Sequence, residues 1–179
     1  MKIVCYGDSN TFGFDPRDFF GECYQSPWPW LLSQRIGWNV QNLGENGREI
    51  PKYPVNFPTD MDFLIVMLGT NDLLQGKSSA TVTNRMEAFL ERITVERSKI
   101  LLVAPPILQR GEWVPTQTLI DISQELSIAY QALSQRMGIR FVDAASWNIP
   151  LAFDGVHFTE EGHRAFAEGL YHYLIKEGV

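Results

Sequence analysis

The sequence is poor in cysteine and in long apolar runs. Its 179 residues include two cysteines. Because Cys5 lies in a short apolar run and Cys23 in a polar, aromatic-rich stretch, we expect no structural disulfide and predict that Cys5 is a small core residue. The apolar run around Cys5 is too short for a membrane span or a signal peptide. These absences predict a soluble, cytoplasmic protein with no membrane partner.

Basic residues are also in the minority. Lysine and arginine total 15 against 21 acidic residues, which gives a formal net charge of −6, and the basic residues form no cluster. Such a chain repels phosphate backbones, so we expect no nucleic-acid partner. The three histidines and two cysteines lack the spacing of metal ligands, so we expect no metal and no other cofactor. The oligomeric state stays open, a homo-oligomer included.

Short apolar runs alternate with longer amphipathic segments. The short runs predict five strands, at Lys2–Tyr6, Asn39–Leu43, Phe63–Leu68, Ile100–Ala104 and Ile139–Val142. Continuously apolar runs are typical of strands buried on both faces of a parallel sheet, whereas the mixed run Asn39–Leu43 suits a sheet edge. Helices are predicted between them, one starting at Ser26-Pro27 and ending before Gly37, another ending before Gly138. The alternation predicts a single domain over residues 1–179, an α/β/α sandwich of three layers.

Polar residues follow the first predicted strand directly, in the segment Gly7-Asp8-Ser9. A tight turn from strand to helix exposes a serine hydroxyl above the sheet edge, as in a nucleophile elbow, although the G-x-S-x-G pattern is absent. Taken alone, Asp8 or Ser9 would serve equally well as a helix cap.

Two further turns follow the second and third predicted strands. Asn42–Arg48 is glycine-rich, so its backbone amides are able to approach a ligand closely. Gly69–Asp72 contains Asn71, whose neutral amide is able to donate to a developing oxyanion. Each of these segments is ordinary turn chemistry when considered alone.

A fourth segment, Asp154-Gly155-Val156-His157, precedes the last predicted helix. Histidine is able to take a proton from serine near neutral pH, and an acid three residues earlier is able to hold the other ring nitrogen. Asp72 is the competing candidate for this acid. His163 and His172 fall inside the helical pattern and are predicted to be structural or exposed. The four segments together supply a nucleophile, a base, an orienting acid and oxyanion donors.

These four segments, in this order and spacing, resemble the four blocks of the SGNH (GDSL-type) hydrolase superfamily. The resemblance implies a flavodoxin-like sandwich with strand order 2-1-3-4-5, and the roles of nucleophile for Ser9, base for His157 and orienting acid for Asp154. It also implies an oxyanion hole formed by the N–H groups of Ser9 and Gly47 and the side-chain amide of Asn71.

Within the superfamily, the sequence is most similar to the bacterial arylesterase-like branch. The similarity rests on the strings Asp8–Gly13 and Asn42–Arg48. In the second string, Gly47 is preferred to Gly44 as the oxyanion donor, because the corresponding block of the superfamily ends on its functional glycine. One departure is Asn10, which stands where the name motif usually has leucine.

The sequence therefore predicts a serine esterase that cleaves small carboxylic esters, with short acyl groups such as acetyl. Alternatives are a carbohydrate acetylesterase, a lysophospholipase or thioesterase, and a non-catalytic sandwich that binds FMN, phosphate or sugar. Several aromatic residues are predicted either to line an acyl pocket or to pack in the core: Phe12, Phe14, Trp28, Trp113 and Trp147.

Overall fold

A parallel sheet forms the middle of the molecule in the computed structural model, which describes residues 1–18 and 20–178. Its strands are β1 (Lys2–Gly7), β2 (Asn39–Gly44), β3 (Phe63–Met67), β4 (Ile100–Ala104) and β5 (Arg140–Asp143). Their order across the sheet is β2-β1-β3-β4-β5, with every neighbouring pair parallel. This order confirms the one that the resemblance implied, and each predicted strand end is correct to within one residue.

Helices cover both faces of this sheet. They are α1 (Ser9–Phe12), α2 (Trp28–Ile36), α3 (Thr70–Leu74), α4 (Ser79–Arg92), α5 (Gln117–Met137) and α6 (Glu160–Lys176). In β1, Val4 and Tyr6 pack into one core with α4 and α5, whereas Ile3 and Cys5 pack into a second core with α2 and α6. Alternate side chains of a strand point to opposite faces, so the apolar strands supply both cores. The predicted three-layer α/β/α sandwich is confirmed.

Capping residues set the helix ends close to their predicted positions. The hydroxyl of Thr159 accepts the N–H of Gly162 at 3.0 Å at the start of α6. Gly37 and Gly138 end α2 and α5 with φ of 73° and 66°, the left-handed conformation that favours glycine. The start of α2 is one residue later than predicted, because Pro27 rather than Ser26 is its N-cap.

The loops after β4 and β5 meet at the carboxyl edge of the sheet. The N–H of Trp113 donates to the carbonyl of Asp154, and the N–H of Gln109 donates to the carbonyl of Gly155, both at 3.0 Å. Because β4 and β5 are parallel neighbours, their carboxyl ends open at the same edge. The polar residues that follow the strands are thereby brought to one place.

No helix among the described residues is both long enough and apolar enough to cross a membrane. Both cysteines are free, as expected from the sequence. Cys5 is fully buried in the second core, and Cys23 is exposed.

Gly44, the last residue of β2, packs directly against the backbone of α1, and a substitution there tests how much this contact contributes to stability. A Cβ at this position would lie 2.1 Å from the backbone nitrogen of Phe12, so Gly44→Ala should lower the free energy of unfolding by about 3 kcal/mol or more, at the upper end of overpacking costs. Gly37→Ala is the control for added volume, because nothing lies within 4 Å of the added Cβ there, and the cost that remains comes from its positive φ of 73°. It should cost about 1–2 kcal/mol. Urea denaturation measures both, and equal losses would contradict the prediction.

Candidate active site

The end of β1 places Ser9 in the turn between a strand and a helix. Gly7 is the last residue of β1, and Asp8 caps α1 by accepting the N–H of Asn10 at 3.0 Å. Ser9 is the first residue of α1 and is 7 % exposed. The first N–H groups of a helix have no acceptor within the helix. Those of Asn10, Thr11 and Phe12 donate to Asp8, whereas that of Ser9 has no acceptor among the described residues, so the turn brings a hydroxyl and one open donor to the sheet edge together.

His157 lies beside this hydroxyl. Its Nε2 is 3.0 Å from Oγ of Ser9, and its Nδ1 is 2.6 Å from Oδ2 of Asp154. His157 and Asp154 are almost fully buried, at 3 % and 1 % exposed. The structure therefore brings together the three residues that the sequence singled out, in the order hydroxyl, imidazole and carboxylate.

The carboxylate of Asp154 is held by more than the imidazole. Its Oδ1 accepts the backbone N–H groups of Val156 at 2.9 Å and of His157 at 3.0 Å. Burial on its own raises the pKa of Asp154, but the hydrogen bonds from the ring and backbone of His157 and from Val156 outweigh it, so the pKa lies below its usual value. Asp154 is therefore charged at neutral pH and holds a proton on Nδ1, which leaves Nε2 free to accept from Ser9.

Asp72, the competing candidate for the orienting acid, lies elsewhere. Its Oδ2 accepts the N–H of Ile50 at 2.9 Å, and its Oδ1 is 2.7 Å from Nη1 of Arg85. Burial raises the pKa of Asp72, although the Ile50 hydrogen bond and the Arg85 charge act in the opposite direction. Asp72 thus anchors the chain after the second block, while Asp154 contacts the imidazole.

Gly47 lies in the turn after β2 with φ of 73°. Across residues 1–18 and 20–178, no hydrogen-bond acceptor is in reach of its N–H. The N–H of Gly44, in contrast, donates to the side chain of Asn42 at 2.8 Å. The donor that remains open in this block is therefore that of Gly47.

Arg48 ties the same turn to the end of β1. Its guanidinium donates to the carbonyl of Gly7 at 2.8 Å and to that of Leu43, and it pairs with Glu45. It also stacks over the ring of Tyr6, 4.3 Å from the centroid. No role for Arg48 follows from the sequence alone, where its one signal is a single basic residue directly after the glycine turn.

Asn71 is the second residue of α3, the helix that follows β3. Its Nδ2 donates to the carbonyl of Arg48 at 3.1 Å. A side-chain amide carries two N–H donors, so one remains after this bond. The contact joins the third block to the second, and Arg48 in turn joins the second block to the residues before Ser9.

Two of the predicted aromatic residues flank the imidazole. The ring centroid of Phe14 is 4.7 Å from that of His157, and the centroid of Trp113 is 5.0 Å away in an edge-on arrangement. Trp113 is 51 % exposed. Both rings therefore pack against the imidazole.

The other three predicted aromatic residues lie away from the imidazole. Trp28 is fully buried in the second core, where its ring centroid is 4.7 Å from that of Phe166, and Trp147 packs edge-on against the same ring at 5.3 Å. Both belong to the core, which corrects the expectation that they line the site. Phe12 borders a groove of about 660 Å³ that it shares with Trp30.

The remaining histidines are structural or exposed, as predicted. Nδ1 of His163 accepts the N–H of Trp28 at 3.3 Å, and burial lowers the pKa of His163 to about 3. His172 is exposed, 2.9 Å from a carboxylate oxygen of Glu168. In the part of the chain that the structure describes, no cluster of three or more histidine, cysteine or acidic residues is placed to hold a metal ion.

A buried hydroxyl bonded to an imidazole, which is itself bonded to a charged carboxylate, is an arrangement for attack on a carbonyl. The model of the GDSL-like Lipase/Acylhydrolase family matches residues 5–165, a range that contains all four segments. The chain belongs to this family. As a GDSL-like acylhydrolase of the SGNH superfamily, it is a serine hydrolase that acts on carboxylic esters.

Solved structures of other proteins share the fold over nearly the whole chain. The aryl esterase of M. smegmatis is 25% identical with a TM-score of 0.78, and the match covers 98% of each chain. A carbohydrate acetylesterase family member from Sinorhizobium meliloti is 23% identical with a TM-score of 0.79, over 99% of each chain. A lipase/acylhydrolase from Enterococcus faecalis is 22% identical with a TM-score of 0.76, over 98% of this chain and 96% of the other. No curated protein sequence matches the chain.

The different surroundings of Asp154 and Asp72 generate a matched test. Asp154→Asn should lower kcat on an activated ester by about 10⁴-fold, the loss seen when a triad acid becomes an amide and the imidazole tautomer changes. Asp72→Asn makes the same chemical change in a buried carboxylate that contacts Arg85, so it should lower thermal stability with a far smaller effect on kcat. Kinetics with p-nitrophenyl acetate and thermal melts check both variants. Similar losses of kcat in the two would rule out the distinct role of Asp154.

Proposed function

We propose that this GDSL-like acylhydrolase cleaves small esters with short acyl groups, such as acetyl, through an acyl-serine intermediate on Ser9. The observation that carries the proposal is the 3.0 Å contact between Oγ of Ser9 and Nε2 of His157. The opposite ring nitrogen lies 2.6 Å from the charged carboxylate of Asp154. Serine is a weak nucleophile until an adjacent base takes its proton, and this contact supplies the base.

The reaction follows from these contacts in two steps. Oγ of Ser9 attacks the carbonyl carbon as Nε2 of His157 takes its proton, and the carbonyl electron pair moves to the oxygen. When the tetrahedral intermediate collapses, the bond to the alcohol oxygen breaks and His157 returns the proton to the leaving alcohol. Water then attacks the acyl-serine with His157 again as base, which releases the carboxylic acid and restores Ser9. Asp154 stays charged throughout and stabilises the imidazolium.

The oxyanion is held, in this proposal, by the N–H groups of Ser9 and Gly47 and by the side-chain amide of Asn71. The open N–H of Gly47 and the second N–H of Asn71 support these assignments. The bonds from Asn71 to Arg48 and from Arg48 to Gly7 hold the three donors in one network. Donors fixed in advance stabilise developing charge without reorganising during the reaction.

The alcohol side of the ester is assigned from the position of the proton donor. His157 must contact the leaving oxygen in order to protonate it, so the alcohol lies beside the imidazole. Phe14 and Trp113 flank that ring. We therefore assign these two side chains to the alcohol group and expect a preference for flat, apolar alcohols.

The acyl side is assigned to small groups because access to the hydroxyl is narrow. Ser9 is 7 % exposed and lies directly against the buried ring of His157.

Removal of acetyl groups from carbohydrates is the second candidate. The half-exposed ring of Trp113 favours it, since the apolar face of a sugar is able to stack on such a ring, and a structural neighbour is a carbohydrate acetylesterase family member.

Covalent labelling tests the role of Ser9. A fluorophosphonate probe should label the wild-type protein and the control Ser146→Ala, in which the exposed hydroxyl that bonds to the carbonyl of Asp143 is removed. Ser9→Ala should not be labelled and should lose turnover of p-nitrophenyl acetate, because it removes the hydroxyl that contacts the imidazole. A folded wild-type protein that is neither labelled nor active would instead support a catalytically silent binding module.

A two-way ester panel tests the substrate assignment. Along p-nitrophenyl esters of increasing acyl length, kcat/KM should fall, whereas equal kcat/KM values across the series would contradict a narrow acyl site.

On the alcohol side, Trp113→Ala should reduce the ratio of kcat/KM for phenyl acetate to that for ethyl acetate by up to about tenfold, since an aromatic pair contributes about 0.5–1.5 kcal/mol beyond its area. Trp30→Ala is the control, because Trp30 is similarly exposed but borders the groove along α2. An unchanged ratio in Trp113→Ala would remove this residue from the alcohol side.

A further inference from the structure

Asn10, the residue after Ser9, reaches from α1 to the loop that carries His157. Its Oδ1 accepts the N–H of Phe158 at 2.9 Å, and its Nδ2 donates to the carbonyl of Val156 at 3.0 Å. The side chain is 4 % exposed. The side-chain amide of Asn10 therefore pairs with the backbone carbonyl before His157 and with the backbone N–H after it, in the way that a neighbouring β-strand pairs with a backbone.

We propose that Asn10 is a positioning residue, which sets the distance between Ser9 and His157 by holding the backbone on both sides of the imidazole. Ser9 precedes Asn10 directly, so the path from hydroxyl to imidazole crosses one peptide unit and one short, buried side chain. This inference rests on the proposed function, since it assigns Asn10 a part in the same proton transfer.

Apart from the contact between Ser9 and His157 itself, the other hydrogen bonds that hold this loop within the described residues do not reach α1. The N–H of His157 donates to Asp154 at 3.0 Å and its carbonyl accepts the N–H of Ala152 at 2.7 Å, both inside the loop. The bonds from Gln109 and Trp113 join the loop to the one after β4. These contacts define the shape of the loop and its place beside β4, whereas the side chain of Asn10 fixes its place relative to Ser9.

An apolar residue at this position would make neither bond. With leucine, the usual residue of the name motif, the carbonyl of Val156 and the N–H of Phe158 would lose these partners in a buried place. A buried polar group without a partner is costly, so the loop would shift to find water or another donor. In this chain the residue after the serine is thus linked to the base by polar contacts, and its loss should act on proton transfer.

The test compares Asn10→Leu and Asn10→Asp with a core variant of similar instability. Asn10→Leu should lower kcat by about 100-fold, the loss expected for a displacement of about 1 Å between reacting groups. Its KM should change by less than about threefold, because the change affects the chemical step rather than ground-state binding. The rate of fluorophosphonate labelling should fall with kcat, since labelling needs the Ser9–His157 contact but neither substrate pocket.

Asn10→Asp keeps the shape of the side chain and the acceptor for Phe158, and loses the donor to Val156. Because a buried carboxylate oxygen then faces the carbonyl of Val156, kcat should fall in this variant as well, and the variant decides the matter if Asn10→Leu does not fold. Leu174→Ala, a fully buried change near the far end of α6, is the stability control. It should lower the melting temperature at least as much while kcat stays within about threefold of wild type.

The outcomes separate this inference from the proposed function. If the wild type shows no turnover and no labelling that depends on Ser9, the proposed function fails. If the wild type is active through Ser9 and both Asn10 variants keep kcat within about threefold, the positioning role alone is overturned. The same holds if Leu174→Ala loses kcat in proportion to its stability, as the Asn10 variants do, since the effect would then be general.

Discussion

The charged carboxylate of Asp154, buried beside the imidazole, is the constraint around which the site is arranged. Removing a carboxylate from water costs several kcal/mol unless hydrogen bonds compensate it. Three donors do so here, namely the backbone N–H groups of Val156 and His157 and the ring Nδ1–H of His157. Because His157 supplies two of these donors, the hydrogen bonds that stabilise the charge of Asp154 also orient the imidazole. The loop must fold tightly around the carboxylate, and the imidazole is fixed as a result.

The loop that carries Asp154 and His157 packs so closely against the loop after β4 that a side chain does not fit at two positions. A Cβ on Gly111 would lie 2.3 Å from the backbone carbon of Asp154, and a Cβ on Gly155 would lie 2.0 Å from the carbonyl oxygen of Gln109. The loops after β4 and β5 therefore touch through their backbones, where a side chain does not fit. On the other side of the site, Arg48 holds the turn after β2 against the end of β1. The site is thus a product of the strand order, which places these loops side by side.

Most of the fold was predictable, because strands buried on both faces leave continuous apolar runs in the sequence. The strand order came from the resemblance rather than from these runs. The proximity of Ser9, Asp154 and His157 was predictable for a topological reason, since each lies in a segment that opens at the carboxyl edge. The directions in which the aromatic side chains point were not predictable. Trp28 and Trp113 are both tryptophans near this edge, yet one begins a helix that turns it into the core and the other lies in a loop that leaves it half exposed. Composition does not encode that difference.

The two buried histidines separate the effect of burial from that of hydrogen-bonding partners. His157 and His163 are 3 % and 0 % exposed, so burial does not distinguish them. Nδ1 of His163 accepts an N–H from Trp28, which puts the ring proton on Nε2, and burial, only partly offset by the charge of Asp15, lowers the pKa of His163 to about 3. Nδ1 of His157 donates to Asp154, so its Nε2 carries the lone pair toward Ser9. The same side chain is a neutral packing element in one place and positioned as a base in the other, and the group opposite Nδ1 makes the difference.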